Sequence, residues 1–488
     1  MDLLKKTIHT ISEPLAKIIN SSFMTGNVPD QLKIAKIIPI YKDSGRKDFQ
    51  NYRPISILPS ISKIFERLVY NRLFCYIKKA DLLSNSQYGF REGCSTYMAL
   101  LDFYDQISKH IENKLYSVGV FIDLKKAFDT IDHKILLEKL YHYGIRGISH
   151  KWFESYLRNR QQFVSINGCD SSLRPIECGV PQGSILGPLL FILYINDIAN
   201  CSTLLHFTLF ADNTNLLSSN SDLQKLNQNL NCELNKLAIW FKANKLSLNI
   251  KKTNFITFGK KKISKNFKFK ISMEGVEIDQ VNSTKFLGVF IDEKLNWKEQ
   301  ILKLSRKISI NVHVLRKVCP KIDSKSSLML YYALIQSHLS YCTMVWGGTC
   351  KMNLEILLKL QKKAIRIITC SKYLEHTNPI FRNLRLLRVG DLYKLQVALF
   401  VHKHNYNYFS YTSLNHFFHL QRAPNTHATR NVSHRLFIQS YRTEVRGKSI
   451  NFIGPRIWNS IPLDIRTIQN PIEFKKNLKS FMISLYTQ

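Results

Sequence analysis

Apolar residues follow two spacings along this chain, and each spacing predicts its own elements. The run Leu204-Leu205-His206-Phe207-Thr208-Leu209-Phe210 is dense in strand formers, and Asn215-Leu216-Leu217 resumes the pattern after a short polar break. This predicts a tight hairpin with Asp212 and Asn213 at its tip. Val118-Gly119-Val120-Phe121-Ile122 predicts a second, buried strand that ends on Asp123, after which Ile135, Leu136, Leu140 and Tyr143 recur at helical spacing. Farther on, Ile301, Leu304, Ile308, Val312 and Leu315 form one helical stripe, and Leu354, Leu357, Ala364 and Ile368 form another. Lys303, Arg306, Lys307, Arg316 and Lys317 flank the first stripe, and Lys359, Lys362, Lys363 and Arg366 the second. Both predict helices packed on one side and basic on the other, as suits a nucleic-acid duplex.

Two strands that each deliver an aspartate to their end can place both acids at one edge of a sheet. Oxygen donors, negative charge and room for substrate phosphates are what a two-metal phosphoryl-transfer site needs. Between the two acids lies Gly179-Val180-Pro181-Gln182-Gly183-Ser184-Ile185-Leu186-Gly187-Pro188, a loop whose backbone can approach a ligand closely. Ser184 is wrongly flanked for a GxSxG nucleophile elbow, so no hydrolase is implied.

Charge narrows the partner. Lys and Arg number 70 against 35 Asp and Glu, a net charge of +35, which is the footprint of a polyanion. With 22 Tyr, 29 Phe and 45% hydrophobic residues, the chain has material for a large folded body rather than a basic tail. The ten cysteines include no C-x₂-C pair, against a zinc knuckle. Neither a signal peptide nor a membrane span is expected, and the predicted location is intracellular, in nucleus or cytoplasm.

Taken in order, IPIYKDSGRKDFQNYRPISIL, QYGFREGCST, FIDLKKAFD, GVPQGSILGPLL, FADN, WFKANKLSLNIKKT and KFLGVFID resemble the reverse transcriptase of non-LTR retrotransposons, close to jockey and CR1-like elements. YYALIQSHLSYCTMVWG and GPRIWNSIPLDIR extend the likeness towards the carboxy terminus. The resemblance implies an α+β right-hand polymerase: residues 1–115 as leader and fingers, 116–292 as a palm with an antiparallel sheet, 293–375 as a helical thumb, and 376–488 as a mainly helical basic region. The reverse transcriptase domain as a whole would cover about 23–292.

It also implies roles. Asp123 and Asp212 match the metal-binding acids, for magnesium or for manganese in its place. Phe128 matches the aromatic wall against a ribose 2′-hydroxyl, with ordinary core as its alternative. Gln182 and Gly183 match the loop at the incoming nucleotide, and Lys42 and Arg53 the fingers cations that neutralise its triphosphate. Lys252 matches the lysine that protonates pyrophosphate, with a solvated lysine as its alternative. Phe286, Leu287 and Gly288 match the primer grip. RNA template, DNA primer and dNTP are the implied partners, and an endonuclease is expected to come from elsewhere.

The departure is Asn213, where the family carries a second aspartate in its turn. Asn keeps the shape and the turn preference but not the charge, so metal affinity and transition-state neutralisation should fall. Three readings therefore stand: an impaired polymerase, a retrotransposon-derived nucleic-acid binder without activity, or a basic structural RNA-binding protein, the last of which does not account for the ordered acids. Gly259–Lys265 is a basic loop beside the nucleic-acid path or a solvated hairpin tip, and His402, His404, His416 and His419 lack the companions of a metal cluster.

Overall fold

A computed structural model describes residues 6–42, 45–259, 267–409 and 435–486. Most of the stretch 259–265 and both His416 and His419 lie outside these residues.

Helix α1 (Ile8–Thr25) ends where Gly26 turns left-handed at φ +73°. Strands β1 (Ile34–Tyr41) and β2 (Tyr52–Ile57) pair antiparallel, from Lys36 opposite Ile57 to Tyr41 opposite Tyr52. Helix α2 (Ser60–Lys79) follows, then α3 (Thr96–Glu112), which is buried around most of its circumference and so passes through the interior.

Strand β3 (Tyr116–Ile122) comes next. Val118, Val120 and Ile122 enter one core and Phe121 the other, the period-2 alternation of a strand covered on both faces. Helix α4 (His133–His142) begins at Asp132, whose carboxylate caps the Ile135 N–H at 3.0 Å, and α5 (Gly147–Leu157) packs on α1. Strands β4 (Arg160–Ile166) and β5 (Arg174–Ile176) then leave the expected palm: β4 runs parallel to β1, with Ile34 opposite Gln161, and β5 pairs with β4. Residues 160–176 thus complete the sheet begun by β1 and β2. An open β1 edge exposes unpaired N–H and C=O groups, and β4 satisfies them.

Helix α6 (Gly187–Tyr194) is buried at every residue but Pro188, which is half-buried. Strands β6 (His206–Phe210) and β7 (Asn213–Asn220) form the predicted hairpin, α7 (Leu223–Ala243) follows, and β8 (Asn254–Phe258) and β9 (Asp279–Gln280) complete a five-stranded sheet in the order β9-β8-β3-β7-β6. Only the β8–β9 pair is parallel. A second hairpin, β10 (Ser283–Phe286) and β11 (Val289–Asp292), leads to the thumb.

In helix α8 (Lys298–Val318) the predicted stripe Ile301, Leu304, Ile308, Val312 and Leu315 is buried. Helix α9 (Lys351–Ile368) packs beside it through Leu357, Ala364 and Ile368, with Leu354 half-buried. Helices α10 (Val389–Asn405), α11 (Ile450–Asn459) and α12 (Pro471–Ser484) share one hydrophobic core with α8, α9 and α3. Polar contacts fix this carboxy-terminal part to α3 as well: Asp105 pairs with Arg446 at 2.7 Å, and the Glu112 carboxylate accepts from Thr443 N at 2.9 Å. Among the described residues no helix is long and apolar enough to cross a membrane. His402 is buried, stacked on Phe474 at 4.2 Å with its Nε2 bonded to the Ile468 carbonyl, the position of a core histidine.

Candidate functional site

Phe210 pairs with Asn213, which leaves Ala211 and Asp212 as a two-residue turn. Ala211 has φ +53°, a conformation that costs an L-residue roughly 1–2 kcal/mol. The segment before α3 holds it there. Leu209 exchanges backbone bonds with Ser86 and Tyr88 (2.8 and 2.9 Å), and the Gln87 side-chain Oε1 accepts from both Ala211 N (3.1 Å) and Gly89 N (2.7 Å). Gly89 lies so close that a Cβ there would stand 2.2 Å from Ala211 N. Sequence reasoning missed Gln87 and Gly89 as turn supports, although they sit inside the QYGF word.

The β3–β7 ladder ends with Ile122 opposite Thr214, so one further step sets Asp123 across from Asn213. Asp123 and Asp212 therefore share one end of the sheet, both half-buried, while Asn213 is exposed. The Asp123 Oδ2 accepts from Asn249 Nδ2 at 2.8 Å, and its backbone carbonyl accepts from Asn249 N at 2.9 Å. Burial raises the Asp212 carboxyl above its ordinary range, the negative charge of Asp123 raises it further, and Arg53 and Lys42 oppose the rise. Arg53, Lys42, the two acids and the turn thus occupy one electrostatic neighbourhood. Asn213 Nδ2 leans towards Phe210 O and Asp212 Oδ1, both at 3.4 Å, and presents a donor to the acid that would hold a cation. Two hard-oxygen carboxylates at one sheet end, with the charge of Asp123 raising the proton affinity of Asp212, fit a divalent ion, whose charge would relieve the repulsion.

Around this pair the other expected residues fall as follows. Gln182 donates its Nε2 to Asp129 Oδ1 at 2.7 Å and its carbonyl accepts from Ser56 N at 2.8 Å, docking the loop on β2. Gly183 has φ +129°, and a Cβ there would stand 2.5 Å from Ser56 O. Lys42 and Arg53 are exposed on β1–β2. Phe128 stacks on Phe191 at 4.4 Å and meets Phe90 edge-on at 6.2 Å, so its ring is fixed but only half-buried. Lys252 is exposed, in the turn after Asn249. Phe286 is a core residue, packed on Phe103 and Phe121 at 5.5 and 6.0 Å, whereas in the β10–β11 turn Leu287 is half-buried against the same core and Gly288 is exposed. Glu66 was not anticipated: fully buried on α2, it accepts from Ile185 N and Tyr156 Oη, each at 2.6 Å, and anchors the end of the Gln182 loop.

Residues 41–291 match the reverse transcriptase (RNA-dependent DNA polymerase) family. The chain belongs to that family. Among its relatives are the probable RNA-directed DNA polymerase from transposon BS of Drosophila melanogaster, 31% identical over 77% of this chain and 43% of the relative, and the RNA-directed DNA polymerase from mobile element jockey of the same species, 30% identical over 78% and 42%. The resemblance to non-LTR retrotransposon polymerases thus extends well beyond the motifs. The chain spans less than half the length of these relatives. Apo telomerase from Candida tropicalis is similar at a TM-score of 0.41 and 14% identity, over 77% of this chain and 66% of that one.

For this reverse transcriptase family member, Asp212 sets a pH dependence. An acid whose folded pKa is raised contributes stability that is complete below its unfolded value of about 3.9 and is lost as pH rises through the folded value. In EDTA at neutral pH, Asp212→Asn should therefore melt at a higher temperature than the native protein, and the gap should close as pH falls towards 4. Added magnesium should stabilise the native protein and not the variant. Parallel melting profiles across pH would contradict the arrangement.

Proposed function

We propose that this chain performs RNA-directed DNA synthesis, extending a primer 3′-hydroxyl on an RNA template with dNTPs, and that Asn213 impairs the reaction. The convergence of Asp123 and Asp212 at one sheet end, within the field of Lys42 and Arg53, is the observation that carries this reading. Asp123 and Asp212 would hold the magnesium ions, with manganese able to replace them. When bound, the metal pair supplies activation of the primer hydroxyl and charge neutralisation at the α-phosphate. Lys42 and Arg53 neutralise the triphosphate, and Lys252 delivers a proton to departing pyrophosphate. Gln182 and Gly183 shape the floor under the nucleotide, and Leu287 and Gly288 meet the primer. The basic sides of α8 and α9 track the duplex, and the carboxy-terminal basic region contributes to template binding.

Primer extension on an RNA template with magnesium tests this. Asp123→Ala should lower the rate by at least about 10²-fold, the scale of a single lost electrostatic element. Equal extension by both proteins would refute the assignment. Phe128 allows a finer check: its ring is held on Phe191, so Phe128→Val should open space over the sugar and raise the rNTP/dNTP incorporation ratio. A ratio unchanged in a variant that still extends with dNTP would return Phe128 to the core.

The second reading, nucleic-acid binding without chemistry, is favoured by one feature: the Asn213 amide stands where the family has an acid and directs its donor at Asp212.

A further inference from the structure

The β10–β11 turn makes an unusual demand on its backbone. Phe286 pairs with Val289, so Leu287 and Gly288 are the two turn residues, at φ +46° and +83°. Positive φ at both central positions is the type I′ condition, which Asn-Gly meets readily and leucine does not. Something outside the hairpin has to stabilise Leu287 there.

Tyr341 is placed to do so. Its hydroxyl donates to the Leu287 carbonyl at 2.7 Å, and its ring lies where a Cβ on Gly288 would come within 3.1 Å. The tyrosine itself is fixed at several points. It closes a helical run from Ser324 to Ser340 that contains a π-helical turn at Tyr332–Gln336, a local irregularity that often marks function. Asn311 of α8 donates to the Leu334 carbonyl inside that turn at 2.7 Å, so the irregular turn is tied to the neighbouring thumb helix. Trp346 Nε1 donates to the Tyr341 carbonyl at 2.9 Å, and the next residue, Cys342, is left-handed at φ +49° with its Sγ 3.6 Å from Thr96 Oγ1 on α3. Tyr341 remains 43% exposed, so it latches the turn without being part of a sealed core.

We infer that Tyr341 is a positioning residue for primer: it latches the Leu287-Gly288 turn to the thumb and holds the half-buried Leu287 and the exposed Gly288 in the one conformation that meets a primer end. The inference rests on the primer-grip reading of that turn. It also gives the YYALIQSHLSYCTMVWG segment a task. Movement of the helical run is transmitted through one hydroxyl to the turn, and thumb placement and primer placement are coupled.

The test is Tyr341→Phe, which keeps the ring against Gly288 and deletes the hydrogen bond. Hydrogen exchange of the Leu287 to Val289 amides should accelerate about tenfold while the melting temperature stays at the native value, tenfold being about 1.4 kcal/mol of local opening. Fluorescence anisotropy should show binding to an RNA–DNA hybrid with a recessed 3′ end weakened three- to tenfold, with binding to unprimed single-stranded RNA unchanged. Native exchange together with native preference for the recessed hybrid would overturn the latch, as would equal weakening on both ligands. If the native protein itself shows no preference for the recessed hybrid, the primer-grip reading fails and the latch fails with it. None of these measurements requires the chain to be catalytically active.

Discussion

Asn213→Asp is expected to raise primer extension about 10²- to 10³-fold, the scale on which a single transition-state electrostatic element acts. The side chain is exposed, and the substitution changes no volume, so the turn between Phe210 and Asn213 should form as before. What it loses is slight: two long hydrogen bonds from Nδ2 at 3.4 Å. What it gains is a third negative charge beside Asp123 and Asp212, where an amide now offers a donor. The same charge should make the metal-free protein less stable, since Asp212 already ionises reluctantly, and magnesium should reverse that loss. Steady-state extension with titrated magnesium reads the first effect, and melting with and without EDTA reads the second. Indistinguishable extension by native and Asn213→Asp proteins would remove impairment from the account. An inert Asn213→Asp protein that still binds RNA tightly would favour the non-catalytic reading.

Gly89→Ala should be the most damaging single methyl group beside the Asp212 turn. Its Cβ would stand 2.2 Å from Ala211 N and 2.9 Å from Phe210 C, and both atoms are backbone, so no side chain can rotate aside. The turn has to move, and the shared Gln87 Oε1 acceptor under Ala211 and Gly89 is disrupted with it. Overpacking of this kind costs about 1–3 kcal/mol. A displacement of about 1 Å at the acids would cost roughly 10²-fold in rate, read most clearly in the Asn213→Asp background. Urea unfolding and extension below the unfolding range measure the two losses separately. Ala211→Gly is the companion variant: it relieves the φ +53° backbone and should be tolerated. Parental stability and rate in Gly89→Ala would show that the approach is looser than these distances imply.

The parts of the site carried by local pattern were legible in advance. Val118 to Ile122 reads as a buried strand because both faces of β3 are covered, and the α8 stripe is visible because its inward residues recur at helical spacing. Phe286 shows the limit of motif reading: its side chain belongs to the aromatic core with Phe103 and Phe121, and of the three motif residues only Gly288 is exposed. Gln87 and Glu66 escaped because a buried polar side chain becomes meaningful only when its partner is known. Those partners are Ala211 for Gln87 and Ile185 for Glu66, more than a hundred residues away in each case.

By itself the sequence determined the hairpin and the strand that deliver Asp212 and Asp123, the basic flanks of the thumb helices, the family, and the uncharged Asn213 beside Asp212, since each is written in residue type and short-range spacing. Tertiary structure alone decided that β4 returns to pair with β1, that Gly89 underlies the Asp212 turn, that Arg446 meets Asp105, and that Tyr341 reaches Leu287. Such contacts join residues far apart in the chain, and their specificity comes from the shape and hydrogen bonding of surfaces that exist only once the chain has packed.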